Sequence, residues 1–400
     1  MRIALIADVF PPLRSSGAVQ LRDLSLEFAA QGHEPTVFVA SPELNEPAQI
    51  EMWQGVRIVR LKTPRTKDMG YARRTLGEFL MPYAMLRNLK VCGLDTERWD
   101  GVVWYSPTIF LGPMAAALKR RSGCRGYLIV RDIFPEWAVD MGLMGRGLPY
   151  QFFKFIEQGQ YATADVIGAQ TPANMPYFRA WEQSNAGRRV DLLHNWHSPA
   201  RDVGCSIRID QTALAGRKIF VYAGNMGIAQ GMGVLLELAA RMRVRQDVGF
   251  VFVGRGSDAQ RLRTQATELG LDNVLFFDEI DPTEIPGLYA QCSVGLVALD
   301  PRHKTHNIPG KFLTYMQSGL PVLASINSGN DLVQLIEGER VGRACTIPSV
   351  DLLQELAQDL LAQIDSDSGI SARCKNISDT MFSSSSAVRQ IVNNLSGNRL

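Results

Sequence analysis

Asn307-Ile308-Pro309-Gly310-Lys311-Phe312-Leu313-Thr314-Tyr315-Met316-Gln317-Ser318-Gly319-Leu320-Pro321-Val322 gives three structural instructions in succession. Pro309 and Gly310 shape a turn, so Lys311 falls at the start of a helix, where unpaired backbone N–H groups and the helix dipole already attract anions. The lysine adds a full positive charge there. Gly319 ends the helix, Pro321 prevents its continuation, and Val322-Leu323-Ala324 reads as the next buried strand. A phosphate is the ligand that fits such a turn. A lysine that merely caps a core helix fits the same residues.

The same alternation of apolar strand and helix extends in both directions. Upstream, Ile219-Phe220-Val221-Tyr222-Ala223-Gly224 opens a series that continues through a helix at Leu235, Leu236, Leu238 and Ala239. Strands are then expected at Phe250 to Val253, Val274 to Phe277, Val294 to Ala298, Val322 to Ala324 and Ala344 to Ile347. A separate series begins with Ile3 to Ala7, a helix through Leu21, Leu24, Leu26 and Phe28, and the strand Thr36 to Ala40. It continues through Val56 to Leu61, Gly101 to Trp104, Tyr127 to Val130, Val166 to Ala169 and Val190 to Leu193. Unbroken Val, Ile and Phe runs belong to parallel sheets covered on both faces. The expectation is two doubly wound α/β domains joined near residues 196 to 216, which also suits 400 residues. Ligands in such sheets sit at the carboxyl ends of strands, and a site in the cleft between the domains is expected.

Composition narrows the class. Hydrophobic residues make up 46% and charged residues 20%, the balance of a globular protein, and no run approaches the roughly 20 apolar residues that span a bilayer. Met1 to Ala7 reads as a first strand rather than a signal peptide, so a cytoplasmic protein is expected. The six cysteines form no Cys-x-x-Cys pair, which argues against a zinc site or a disulfide framework and for buried free thiols. A net charge of +2 is too small to imply nucleic acid. The charge is nonetheless uneven: Arg60, Lys62, Arg65, Lys67, Arg73, Arg74, Arg87 and Lys90 are opposed in that stretch only by Asp68 and Glu78, and Tyr71, Leu76, Phe79, Leu80 and Tyr83 lie among them. Such a segment suits an anionic membrane surface. A solvated helix face suits it equally.

Four further segments carry chemistry. Gly224-Asn225-Met226-Gly227 follows a strand, and its glycines permit close backbone approach to a ligand. Gly254-Arg255-Gly256 follows the next strand, where Arg255 offers a cation or, as the plain alternative, faces solvent, and a lone glycine pair is not a dinucleotide fingerprint. Arg131, Asp132 and Glu136 cluster at a strand exit that is more polar than a core requires, and an internal ion pair with Arg131 is the plain alternative. Gly17 heads the helix after the first strand and can present amides to phosphate. His303, Lys304 and His306 crowd just before the Lys311 turn, and one of them is expected to face the phosphate or sugar. Their irregular spacing does not suit a metal site.

At Pro309-x-Lys311, Tyr315-x-x-x-Gly319 and Pro321-Val322 the chain resembles the family 4 retaining glycosyltransferases of the GT-B fold. The WbuB-like branch, which adds an N-acetylfucosamine-type sugar in O-antigen or capsule assembly, shares the Arg131-Asp132-x-x-Pro135-Glu136 stretch. The resemblance implies three regions: an acceptor-binding domain at 1–198, a donor-binding domain at 199–378, and a terminal helix at 379–400 that packs back on the first. It implies a donor site at Gly17, Gly224, Asn225, Gly227, Gly254, Arg255, Gly310, Lys311, Thr314 and Asp331, with Arg131 and Glu136 binding acceptor. Asp132 falls where the family places an acid, and Asp132, Lys311 and Arg255 form the implied catalytic set. Asn225 and Gln230 stand where many members carry arginine and lysine on phosphate. Thr314 stands where many carry a ribose-gripping glutamate, leaving a weaker hydroxyl contact. Asp331 has a helix N-cap as its plain alternative.

The resulting expectation is a retaining, metal-independent transferase with no cofactor. It takes a nucleotide sugar, UDP-linked, and a lipid-linked saccharide at the inner face of the plasma membrane. A UDP-sugar 2-epimerase of the same shape and a non-catalytic sugar-nucleotide binding subunit remain as alternatives.

Overall fold

The computed structural model of the protein describes residues 1–13, 15–67, 69–199, 203–227, 230–299 and 308–397. The chain divides into two units: Met1–Trp196 with Ser384–Leu400, and His197–Ser383. In the first unit β1 (Arg2–Ala7) leads to α1 (Ser16–Ala30), β2 (Glu34–Ser41), β3 (Ala48–Trp53), β4 (Val56–Lys62), α2 (Tyr71–Val91) and β5 (Gly101–Ser106). There follow α3 (Gly112–Ser122), β6 (Arg125–Val130), α4 (Glu136–Asp140), α5 (Leu148–Thr163), β7 (Val166–Ala169), α6 (Arg179–Gln183) and β8 (Arg189–Leu192). Its sheet is ordered β3-β4-β2-β1-β5-β6-β7-β8, and every neighbouring pair is parallel except β3 with β4.

The strands tolerate continuous apolar sequence because both faces are covered. Ile3, Leu5 and Ala7 of β1 pack with Leu21, Leu24 and Phe28 of α1, while Ala4 and Ile6 pack on the opposite face with Trp104, Met85 and Leu89.

The second unit runs β9 (Lys218–Ala223), α7 (Gly233–Arg241), β10 (Val248–Val253), α8 (Ala259–Glu268), β11 (Val274–Phe277), α9 (Ile285–Tyr289) and β12 (Val294–Ala298). It continues with α10 (Gly310–Gln317), β13 (Val322–Ser325), α11 (Asp331–Gly338), β14 (Gly342–Cys345), α12 (Val350–Ser366) and α13 (Ile370–Met381). Its strands, ordered β11-β10-β9-β12-β13-β14, are all parallel. The last helix, α14 (Ser384–Leu395), returns to the first unit, where Ala387, Val388, Ile391 and Leu395 join the core beside α1. Leu395 packs so tightly on Gly101 that a Cβ there would stand 2.6 Å from its Cδ1.

Both sheets wind outward in two directions from their first strand. Strand order therefore reverses between β1 and β5 in one unit and between β9 and β12 in the other. Ligand crevices open at these switch points, beyond the carboxyl ends of the strands. The architecture is the expected pair of doubly wound, Rossmann-like α/β units.

Three details differ from the sequence reading. β3 had no counterpart in it: an antiparallel edge strand with Ile50 and Met52 exposed lacks the buried apolar run of the others. The last strand lies at Gly342–Cys345 rather than Ala344 to Ile347, because its parallel pairing with β13 begins at Gly342 beside Val322, where a Cβ would stand 2.0 Å from the Val322 carbonyl oxygen. Of the six free cysteines only Cys345 and Cys374 are buried; the rest are half-buried. Among the described residues no helix is long and apolar enough to cross a membrane.

Candidate functional site

In the second unit the site is built on the β9–β12 switch point. Tyr315 of α10 reaches down between these strands, its hydroxyl within 3.0 Å of the Val221 carbonyl and 3.1 Å of the Leu296 carbonyl. Its ring lies on Gly295, where a Cβ would come within 2.6 Å. The tyrosine thereby fixes α10 over the crevice and directs the helix N-terminus, with Gly310 and Lys311, toward the end of β9.

There the Lys311 ammonium donates to the Tyr222 hydroxyl at 2.9 Å and lies 4.1 Å from the centre of the Tyr222 ring. Tyr222 in turn donates to the Asn225 carbonyl at 2.7 Å. A Cβ on Gly224 would stand 3.8 Å from the lysine Cε, so the loop backbone runs directly alongside the cation. Burial lowers the Lys311 pKa to about 8. Among the described residues the ammonium has a hydroxyl and an aromatic face for company but no carboxylate partner, and a positive charge so placed is complementary to an anion.

The glycines of the loops after β9 and β10 serve each other first. Gly224, Gly254 and Gly256 have φ of 138°, 137° and 158°, a region that favours glycine. A Cβ on Gly254 would stand 2.1 Å from the Gly224 carbonyl oxygen, and one on Gly256 2.3 Å from that of Met226. Backbone bonds from Gly224 N to Val253 O and from Met226 N to Arg255 O bind the two loops together. Gln230 accepts from the Gly227 amide at 2.9 Å and from the Asn225 side chain at 3.3 Å, so the two neutral residues brace the loop internally.

Arg255 projects outward, its side chain 81% exposed and paired with Glu279 at 2.7 Å. The Thr314 hydroxyl donates to the Lys311 carbonyl of its own helix at 3.0 Å. Asn330 caps α11 by accepting from the Leu332 amide, so the N-cap role considered for Asp331 belongs to its neighbour, and Asp331 is the first residue of the helix. His303, Lys304 and His306 lie outside the described residues.

In the first unit the corresponding crevice lies between β1 and β5. Gly17, in the first turn of α1, packs against the Tyr105 ring, where a Cβ would approach the hydroxyl to 3.2 Å. Ser15 caps that helix by accepting from the Ala18 amide.

Arg131 is buried at the exit of β6, and its guanidinium lies over the Trp196 ring at 4.4 Å and the Tyr105 ring at 5.9 Å. Aromatic faces pack on the guanidinium, and the neighbouring Asp132 carboxylate acts on it electrostatically. Glu136 instead accepts from Lys154 at 2.8 Å and from the Tyr150 and Tyr177 hydroxyls. Lys154 also bridges to buried Glu157 at 2.7 Å. Burial alone would raise the Glu136 pKa, but Lys154 and the tyrosines outweigh it and hold the carboxyl below its usual range. Asp132 is exposed and acts electrostatically on Arg131 and Tyr105.

The sequence reading missed Tyr222, Tyr315, Tyr105 and Asp8. The first three sit within strands or helices where an aromatic residue reads as core. Asp8, directly after β1, did carry a signal, namely an acid at a strand exit. Among the described residues one of its carboxyl oxygens is buried without a hydrogen-bond partner, and burial raises its pKa to about 6.

Known proteins resemble the chain across both units. A family model described as "Glycosyl transferase 4-like domain" matches residues 17–196, and one described as "Glycosyl transferases group 1" matches residues 217–366. WcaI of Escherichia coli strain K12, named as a glycosyl transferase of colanic acid biosynthesis, is 26% identical over 77% of this chain and 79% of its own length. WbjE of Pseudomonas aeruginosa, named a probable glycosyltransferase, is 25% identical over 71% of each. Among solved structures, WaaG, a glycosyltransferase involved in lipopolysaccharide biosynthesis, superposes with a TM-score of 0.66 at 17% identity, covering 99% of this chain and all of its own. HepE of Anabaena, solved with UDP and glucose, gives 0.67 at 17% identity over 99% of each chain. At this identity the structures establish the shared two-domain GT-B fold.

Proposed function

We propose that this chain, which has the GT-B fold and matches glycosyltransferase family models in both units, transfers a sugar from a UDP-linked donor to a lipid-linked saccharide during bacterial surface polysaccharide synthesis. N-acetylfucosamine or a related amino sugar is the proposed cargo, moved with retention and without a bound metal. The observation that carries this reading is the Lys311 ammonium, which meets no carboxylate among the described residues and is held beside the Gly224 backbone at the head of α10. The names of WcaI and WaaG support the polysaccharide setting, and that of HepE supports UDP.

The second unit holds the donor in this scheme, through Gly224, Asn225, Gly227, Gly254, Gly310, Lys311, Thr314 and Asp331. Lys311 turns from Tyr222 to the diphosphate, and the α10 dipole adds to its charge. The acceptor hydroxyl attacks the face from which diphosphate leaves, a donor phosphate oxygen takes its proton, and Lys311 stabilises the departing charge. One such contact is typically worth about 3 kcal/mol of barrier. Arg255 joins only by leaving Glu279, which makes it the lesser contributor. In the first unit Asp132 belongs to the proposed catalytic set, Arg131 and Glu136 meet the acceptor, and Gly17 offers its amide to the donor. The chain works at the inner face of the plasma membrane, where a lipid-linked acceptor is presented.

The test is turnover of the intact protein with UDP-N-acetylfucosamine, UDP-N-acetylglucosamine and UDP-glucose, using undecaprenyl diphosphate-linked N-acetylglucosamine as acceptor. Mass spectrometry reads the product and NMR its anomeric configuration. A product with the donor's configuration is expected. An inverted anomer overturns the retaining step, and an epimerised donor formed without acceptor overturns transfer itself.

A further inference from the structure

The outward faces of α2 and α5 form an apolar surface that no described residue covers. On α2, Leu76, Leu80 and Tyr83 are exposed at spacings of four and three residues, one stripe of the helix. On α5, Leu148, Phe152 and Phe155 repeat the same spacing, with Leu148 86% and Phe155 73% exposed. The stripes meet where the rings of Phe79 and Phe152 lie 6.4 Å apart, and Phe79 also contacts Tyr83 at 5.9 Å. Burying one such side chain is worth about 1.5–3 kcal/mol, so a run of them left in water marks an interaction surface.

The charges that α2 and α5 themselves leave unpaired are positive. Arg73, Arg74, Arg87 and Lys90 of α2 are exposed, and the helix's single acid, Glu78, is paired with Arg74 at 2.8 Å. The outward face of α5 has no free charge, because Lys154 turns to Glu136 and Glu157, and Glu157 is buried. By contrast, several cations that made the sequence look membrane-active are engaged elsewhere: Arg60 with Glu51 and the Pro11 carbonyl, Lys62 with the Asn45 carbonyl.

We propose that the α2–α5 face seats this protein on an anionic lipid bilayer. Leu148, Phe152 and Phe155 enter the boundary between headgroups and acyl chains, and Arg73, Arg87 and Lys90 meet the headgroups. An apolar centre framed by cations fits a lipid surface better than a protein partner of mixed charge. The inference deepens the lipid-linked acceptor reading, but its surface is argued from exposure and charge alone.

Sedimentation with vesicles of phosphatidylcholine, alone or mixed with phosphatidylglycerol, tests it without donor or acceptor, so its failure leaves glycosyl transfer untouched. Salt of about 0.1 M and about 1 M compares Debye lengths of about 10 Å and 3 Å. The wild type is expected to bind the anionic vesicles and to retain part of that binding at high salt. Combined Leu148→Ser, Phe152→Ser and Phe155→Ser should lower the partition coefficient by at least about tenfold at both salts. Combined Arg73→Gln, Arg87→Gln and Lys90→Gln should weaken binding at low salt only. Unchanged circular dichroism keeps the comparison valid, since every substituted residue is exposed. Serine variants that bind like wild type, or a wild type that ignores anionic vesicles, would overturn the proposal. So would wild-type self-association that the serines abolish, which would assign the face to a second copy.

Discussion

Lys311 is a cation placed where it is easily discharged. Burial lowers its pKa to about 8, so between that value and the ordinary lysine range the native state holds fewer protons than the unfolded chain, and stability rises with pH across the window. Diphosphate binding runs the other way, since the ammonium is lost as pH climbs through about 8. UDP affinity should therefore fall by up to about tenfold per pH unit above that point. Calorimetric titration of UDP at rising pH checks this, and a flat profile would separate Lys311 from the phosphate. Asp8 carries the opposite shift. Its pKa, raised by burial to about 6, lets the native state hold more protons than the unfolded chain, so its contribution to stability falls as pH rises from the ordinary carboxyl range through about 6. Lys67 and Arg74 temper the shift and Glu78 adds to it. Asp8→Asn removes the penalty and should raise the melting temperature near neutral pH by about 2–4 °C, while flattening its dependence at acid pH. Parallel melting curves for the two proteins across that range would contradict the assignment.

At the scale of elements, α10 is aimed by what lies beneath it. Gly295→Ala would put a Cβ 2.6 Å from the Tyr315 ring, lifting the helix or straining β12. Overpacking of this kind costs about 1–3 kcal/mol, and weaker UDP binding should accompany the lower melting temperature. A variant that loses stability yet binds UDP normally would show that α10 tilts without consequence. The same helix shows what a sequence discloses. Lys311 was legible because Pro309, Gly310 and Gly319 punctuate the chain on either side of it. Most strands were legible because parallel sheets demand runs such as Phe220 to Ala223 and Phe250 to Val253. Tyr222 was not, because its hydroxyl acts on a lysine far along the chain, and within a strand it reads as one more buried aromatic. Arg131 suggested an ion pair because its acidic neighbours are local, whereas Tyr105 and Trp196, whose rings also face it, arrive from β5 and from the segment after β8. β3 escaped because a half-exposed edge strand has no strong apolar run.

Across the whole molecule, each unit has its own core and its own switch-point crevice, and the chain's last helix belongs to the first unit. Ile391→Ala on α14 should cost about 2–5 kcal/mol. Hydrogen exchange should then quicken in β1, β2, β5 and α1 while the peptides of residues 217–366 stay protected. Uniform loss of protection would mean that the two cores do not respond separately. The central claim concerns the second unit, that Lys311 and the loops around Gly224 and Gly254 hold a nucleotide diphosphate. Titration of UDP into the intact protein and into Lys311→Ala near neutral pH addresses it most directly. The account predicts heat of binding for the wild type and affinity at least about tenfold weaker for the variant, with the fold retained by circular dichroism. Equal affinity of the two proteins, or no binding by the wild type, would contradict it.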